Sequence, residues 1–394
     1  MDLCKMDLFK IQRLLKEYQL DGWLFTDFQG RDFITRDFLK LTERKSTRHL
    51  FYYIPSEGEP VKVLSVIEPL LLDHLPGDKI LYRGREGQRK VLETIFIDDK
   101  RIACQYSPGG NVPAVSSMDA GLVEYLKTFP IELICSADLL QYFGAVLTDR
   151  QIESHKRAGA MIHRILEQTF IWIRKNLTEG NYIDEWLMLK EMERLIAKEP
   201  VYMDSPPFFG IDEHCCDPGY EPAEIGSKQI KEGSRLMIDI AGRTLEEDSV
   251  YYDISWCMNV GPDIDPEYER LFTVVNMARW KAFSYIQDQL GLGKTVYGCD
   301  VDELMRKFFQ EQNLSQYIMH RTGHNIGHSC HGIGANLDDY ETHDNRSLLP
   351  GTMFSVEPGI YMEDYGVRLE FDVHINKNNK LMIYGPVQNE ILVI

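Results

Sequence analysis

Over the first 147 residues, apolar positions alternate between two rhythms. A helical period across residues 5–19 predicts an amphipathic helix, and the run Gly22-Trp-Leu-Phe-Thr26 predicts a strand after it. Apolar runs at 50–54, 61–67, 80–82, 102–106 and 131–135 predict further strands, with helical windows at 85–96 and 119–128 between them. Such alternation predicts an α/β domain over residues 1–147, built on a largely parallel or mixed sheet.

The pattern changes at Thr148, where T-D-R-Q has the form of a capping box and a helical period then runs to about residue 176, with Gly180 as its stop. A second helix is predicted over 182–198. Residues 201–233, rich in Pro, Gly, Asp and Cys, read as loop with short strands. Asp265-Pro266 and Asp300-x-x-Glu303 mark two more helix starts. Apolar segments at 235–241, 250–260, 353–362, 367–375 and 380–384 predict strands joined by short turns. Residues 148–394 therefore form a second domain of α+β class, with helices covering one side of an antiparallel sheet.

Composition narrows the function. A chain of 394 residues with 44% hydrophobic and 26% charged residues is globular and long enough for two domains. Its net charge of −18, nearly all of it carried after residue 150, repels phosphate backbones and anionic lipid, so neither nucleic acid nor a membrane is expected as a partner. Asp2, Lys5, Asp7 and Lys10 interrupt any apolar signal core, and a cytoplasmic protein is expected. Eight scattered cysteines without a C-x-x-C pair fit reduced thiols better than a disulfide framework or a zinc knuckle. Gly293-Lys294-Thr295 lacks the rest of a phosphate-binding loop, and neither G-x-S-x-G nor H-E-x-x-H occurs.

Five segments carry candidate chemistry. Asp239 and Glu357 each interrupt an apolar run, and a lone buried carboxylate is costly unless paired, protonated or bound to metal. Tyr251, Asp253 and Ser255 share one strand face, as do Arg368, Glu370, Asp372 and His374 on another. The run from His320 to His331 contains His324 and His328 among glycines, with Cys330 read as a spectator. Taken singly, Asp253 or Glu370 reads as a solvent-facing residue on a half-buried strand. Together, two aspartates, two glutamates and one histidine suit two divalent cations, whose charge offsets four carboxylates. Oxygen-rich ligation points to manganese first, with zinc or cobalt as alternatives.

The motifs IDIA at Asp239, YYDIS at Asp253, GHNIG at His324, His331 seven residues on, SVEPGIY at Glu357 and GVRLE at Glu370 resemble the creatinase/prolidase/aminopeptidase P superfamily, along the whole chain. The resemblance implies a pita-bread catalytic domain behind a creatinase-type N-terminal domain. It implies that Asp239, Asp253, His324, Glu357 and Glu370 bind two metals, with Asp253 and Glu370 bridging, and that a metal-bridging water is the nucleophile. Glu357 would relay a proton to the leaving nitrogen, and His331 would lie beside the scissile bond. The expected activity is that of an Xaa-Pro aminopeptidase or dipeptidase acting on short peptides, in a homodimer. Creatinase-type C–N hydrolysis or a lyase reaction is the alternative. A non-catalytic scaffold is a third reading, against which the complete set of five ligands argues.

Three departures stand out. Asp239 and Asp253 are spaced more widely than in common relatives, which predicts extra hairpin residues near Glu246-Glu247-Asp248. Where many relatives read D-x-T-R, this chain reads Asp253-Ile-Ser-Trp256. The loop Asp217-Pro-Gly219-Tyr-Glu-Pro222 ends without the relatives' substrate-facing histidine. Either His214 substitutes for it or oxyanion stabilisation is reduced. Arg368 either orients a substrate carboxylate or a site glutamate, or pairs with a neighbouring strand acid.

Overall fold

Asp7 caps the first helix, α1 (Leu8–Glu17), by accepting a hydrogen bond from Lys10 N at 2.9 Å. The chain is seen here as a computed structural model that describes residues 7–41 and 46–394; Asp2 and the expected helix start at Lys5 lie outside them. The chain divides into two units, Met1–Leu140 and Gln141–Ile394.

In the first unit α1 is followed by β1 (Gly22–Asp27), α2 (Phe33–Phe38), β2 (Leu50–Pro55), β3 (Val61–Ser65), β4 (Asp78–Tyr82), α3 (Gly84–Ile95), β5 (Lys100–Cys104), α4 (Ala120–Leu126), β6 (Ile131–Cys135) and the start of α5 (Ala137–Gly144). The strands form one six-stranded sheet in the order β4-β3-β2-β1-β5-β6. It is mixed: β1 pairs antiparallel with β2 and parallel with β5. Leu24, Phe51, Val63 and Ile102 pack beneath α3 and α4 in a fully buried core.

The second unit opens on α6 (Asp149–Thr178). The expected capping box forms: Thr148 Oγ1 accepts from Gln151 N, and Gln151 Oε1 accepts from Thr148 N. Then come α7 (Glu185–Ile196), β7 (Val201–Tyr202), β8 (Phe208–Ile211), β9 (Arg235–Thr244), β10 (Tyr252–Asn259), α8 (Pro266–Gly291), α9 (Gly298–Glu311), β11 (Asn325–Ile326), β12 (Met353–Val356), β13 (Gly359–Tyr361), β14 (Gly366–Arg368), β15 (Phe371–Ile375), β16 (Leu381–Ile383) and β17 (Leu392–Val393). Pairing is antiparallel apart from β10 with β17. Buried residues of α6 and α7, among them Ile162 and Met188, pack against Ile238 and Ile254 of the β9–β10 ribbon. Those of α8 and α9 pack against β12–β15.

Two expectations need correction. The segments 353–362 and 367–375 are not continuous strands: each breaks in the middle, at Glu357-Pro358 and at Leu369-Glu370. Pro358 has no N–H to give to a ladder, and Glu370 N donates instead to Ser255 O of β10 at 3.2 Å. Helix α9 starts at Gly298 and not at Asp300, because the carbonyls of Arg346 and Asp344 accept from Gly298 N and Cys299 N at 3.2 and 3.0 Å. Those main-chain acceptors replace a side-chain cap.

Candidate active site

The β9–β10 register sets Asp253 opposite Ala241 and Ser255 opposite Asp239, which puts both aspartates on one face of the ribbon, one step apart. The hairpin between them is long, as the spacing predicts: β9 ends at Thr244 and β10 begins at Tyr252. His324 leads into β11. Its N–H donates to Ser355 Oγ at 2.9 Å, an approach that needs Gly323, since a Cβ there would lie 2.1 Å from Ser355 O. Glu357 and Glu370 occupy the two strand breaks, where the backbone turns their side chains toward the same space.

All five expected ligands meet. Ligand atoms of Asp239, Asp253 and Glu370 lie within 4.8 Å of one another, as do those of His324, Glu357 and Glu370. His324 Nε2 is 3.2 Å from Glu357 Oε1 and 3.7 Å from Asp253 Oδ2. Asp253 and Glu370 are 5% and 2% exposed, and Asp253 Oδ1 and Glu370 Oε1 have no protein hydrogen-bond partner. Two buried carboxylate oxygens facing one space without donors form a donor set that fits divalent cations.

The electrostatics agree. Burial, reinforced by Asp239, pushes Asp253 well above the usual carboxylate range. Burial, then Asp253 and Glu357, does the same to Glu370. Asp239 is also raised by burial, against the pull of Arg368. Glu357 goes the other way: the hydrogen bond from His324 and the charges of His324, His320 and Arg368 outweigh its burial. His331 is exposed at the wall with its ring centroid 4.2 Å from that of His324, and desolvation followed by the charges of His324 and Arg321 keeps its imidazole neutral at pH 7.

Arg368 takes the ion-pair option. Buried at 5% exposure, it pairs with Asp239 and donates to Ser255 Oγ at 3.0 Å and Tyr361 OH at 3.1 Å. Ser255 Oγ in turn donates to Glu370 Oε2 at 2.8 Å, and Tyr361 OH meets His320 Nε2 at 2.7 Å. Ser255, Tyr361 and His320 thus tie the two halves of the site together, and of these only the Asp253–Ser255 alternation had been legible in the sequence. Asp372 was placed on the right face but given no role. It accepts from Asp253 N at 2.8 Å. Cys330 is no spectator: its thiol donates to Asp253 Oδ2 at 2.9 Å.

His214 does not reach this space. Its Nδ1 turns to the buried Glu185 carboxylate at 2.8 Å, and its ring stacks on Tyr220 at 4.1 Å. Glu185 also accepts from Ile211 N, Tyr220 OH and Lys228 N. This pins the loop 217–222, and Tyr220, not His214, lines the cavity. That cavity, about 520 Å³, is lined by Trp186, Pro206, Pro207 and Phe208 together with Asp239, Asp253, His324, His331, Glu357 and Arg368.

This geometry forms a candidate metal site on an α+β frame, and comparisons with known proteins give the family. Residues 153–377 match the model of metallopeptidase family M24, and the chain belongs to that family. A probable dipeptidase, PepE, of Mycobacterium tuberculosis H37Rv is 24% identical over 350 residues, 86% of this chain and 84% of that protein. Dipeptidase PepE of Mycobacterium ulcerans has a similar solved structure, with TM-score 0.69, 19% identity, and 99% and 97% of the two chains covered. So has the Xaa-Pro dipeptidase of Bacillus anthracis, with TM-score 0.62, 18% identity and 99% of each chain covered. The chain is a metallopeptidase of prolidase-like fold. Among the described residues no helix is long and apolar enough to cross a membrane.

Proposed function

We propose that this metallopeptidase is a dinuclear enzyme that cleaves short peptides before proline, with Asp239, Asp253, His324, Glu357 and Glu370 as its metal ligands and Asp253 and Glu370 shared between two ions. The observation that carries the reading is the pair of buried, donorless oxygens, Asp253 Oδ1 and Glu370 Oε1, set among three further ligand side chains. When bound, the ions supply Lewis acidity and lower the pKa of water. Glu357 Oε1, held by Ser355 Oγ at 3.1 Å, is the carboxylate placed to accept a proton and pass it to the leaving nitrogen. Neutral His331 offers an N–H to the carbonyl oxygen as charge develops there. Arg368 pairs with Asp239, opposing the upward push of its burial, and braces Ser255 against Glu370.

The wall of Trp186, Pro206, Pro207 and Phe208 suits the apolar ring of proline, and the similarity to an Xaa-Pro dipeptidase supports the same preference. Manganese as the metal follows from a set dominated by carboxylates with one imidazole. Homodimeric assembly rests on the family resemblance, and a cytoplasmic location on the sequence reading alone. A panel of Xaa-Pro dipeptides, longer Xaa-Pro peptides, non-prolyl dipeptides and creatine-like compounds, assayed with manganese, tests the reading. Xaa-Pro peptides are expected to lead in kcat/KM by roughly tenfold or more. Turnover of creatine-like compounds, or no preference for proline, overturns it.

A pH measurement follows from the raised carboxylates. Without metal, folded Glu370 holds its proton more tightly than in the unfolded chain, so its contribution to stability falls as pH rises from about 4 toward its raised value. Glu370→Gln removes that titration while keeping an acceptor for Ser255. Metal-free Glu370→Gln is therefore expected to gain stability over the original chain as pH rises from about 4 to 7. Buried histidines such as His155 titrate alike in both and cancel from the difference. A gap that stays flat with pH would contradict the raised value.

A further inference from the structure

A second cavity, larger than the acid-lined one, is lined entirely by residues of the first unit. It encloses about 720 Å³ and is lined by four arginines, Arg31, Arg48, Arg83 and Arg85, that come from three separate loops and the start of α3. Among the described residues none of the four forms an ion pair with a carboxylate, whereas Arg89, one turn further along α3, pairs with Glu93 at 2.9 Å and Arg36 with Asp27 at 3.3 Å. The Arg48 guanidinium donates to Thr47 O and Thr47 Oγ1, while its backbone N–H donates to Glu68 Oε2 at 3.2 Å, and Arg31 lies over the Phe28 ring at 5.3 Å. One carboxylate, Asp119, shares the lining, and it already caps α4 by accepting from Leu122 N at 3.0 Å. In a chain of net charge −18, four guanidinium groups without acidic partners around one hollow are an unusual concentration of positive charge.

Aromatic and aliphatic side chains make up much of the rest of the lining, beside Ser65 and Gln88. Phe28 stacks on His49 with ring centroids 4.6 Å apart, and Tyr82, Tyr125 and Leu122 complete the floor. His49 Nδ1 and Tyr125 OH are buried there with no protein hydrogen-bond partner. Helix α3 begins at the rim without a side-chain cap, so the positive end of its dipole adds to the arginines. A volume of this size matches one small molecule.

We propose that this cavity binds one oligoanion of the phosphate class, carried on a flat ring. The guanidinium forks grip two or more phosphoryl groups, as planar bidentate donors do, and the Phe28–His49 floor stacks the ring. This site is independent of the peptidase reading, since it uses none of the residues assigned to catalysis.

Calorimetric titration of the full chain with ATP and, separately, with inorganic tripolyphosphate tests it. One ATP per chain is expected, with tripolyphosphate weaker because it leaves the floor bare. Arg48→Gln with Arg83→Gln weakens both by about tenfold or more, at unchanged peptidase kcat. Arg48→Lys with Arg83→Lys recovers part of the loss, since charge remains but the fork does not. Tripolyphosphate binding as tight as ATP, still lost in the Gln variant, upholds the oligoanion site and makes free phosphate chains its source. No heat with either probe, or binding unchanged in the Gln variant, overturns the proposal; any heat that survives there belongs to the acid-lined cavity or elsewhere.

Discussion

Asp253→Asn is expected to lower kcat by at least about a thousandfold, equivalent to about 4 kcal/mol of barrier, while the metal-free protein melts at or above the temperature of the original chain. The two halves of that result have one cause. Asp253 is 5% exposed, has Asp239 as a close acidic neighbour, and receives Cys330 on one oxygen while the other has no protein partner. Without cations such a carboxylate is a cost to the fold, and the neutral amide relieves it. In the proposed site it would be a ligand to the cations, and the amide could not supply the charge. Kinetics with manganese, beside thermal melting in chelator, separates the two effects. Retained turnover would remove Asp253 from the site, and collapse of the metal-free fold would mean that the residue is structural.

Arg346→Ala is expected to cost about 3–5 kcal/mol of stability, read from urea unfolding. Arg346 is 2% exposed, and its guanidinium is fully engaged. Nε and one terminal nitrogen grip the Asp344 carboxylate at 2.8 and 2.6 Å, while the terminal nitrogens also donate to Ile333 O at 2.6 Å and Gly334 O at 2.7 Å. Truncation strips the guanidinium from two carbonyls and from a buried Asp344 carboxylate that keeps only the backbone N–H groups of residues 336 and 346. The segment so released follows directly on His331 and supplies the carbonyls that cap α9, so kcat should fall with stability. A loss under about 1 kcal/mol would show that solvent reaches these groups and that the clamp is not buried.

These residues also show what the sequence could and could not reveal. Local signals were readable: the Thr148–Gln151 box, the Asp265 cap on α8, and the alternation that set Asp253 and Ser255 on one face. Asp239 and Glu357 stood out because an isolated carboxylate in an apolar run is conspicuous, whereas Asp253, His324 and Glu370 joined the proposed ligand set through the family resemblance. Pairings between distant segments were not legible. His214 was given to the substrate because nothing near it in the chain announces Glu185, which lies on α7 and claims its ring. The break at Glu357-Pro358 carried its own warning in the proline, yet the break at Leu369-Glu370 has no local breaker and exists because Glu370 N reaches β10. The arginine cavity follows the same rule. Residues 31, 48, 83 and 85 share no motif, and only the sheet of the first unit brings them together.

The claim on which the enzymology depends is that two cations compensate the buried acids. Equilibrium dialysis against manganese followed by elemental analysis measures this directly, on the original chain and on Glu370→Gln. Close to two ions per original chain, with fewer retained by the variant, is the predicted result. No bound metal, or equal retention by both proteins, would contradict it.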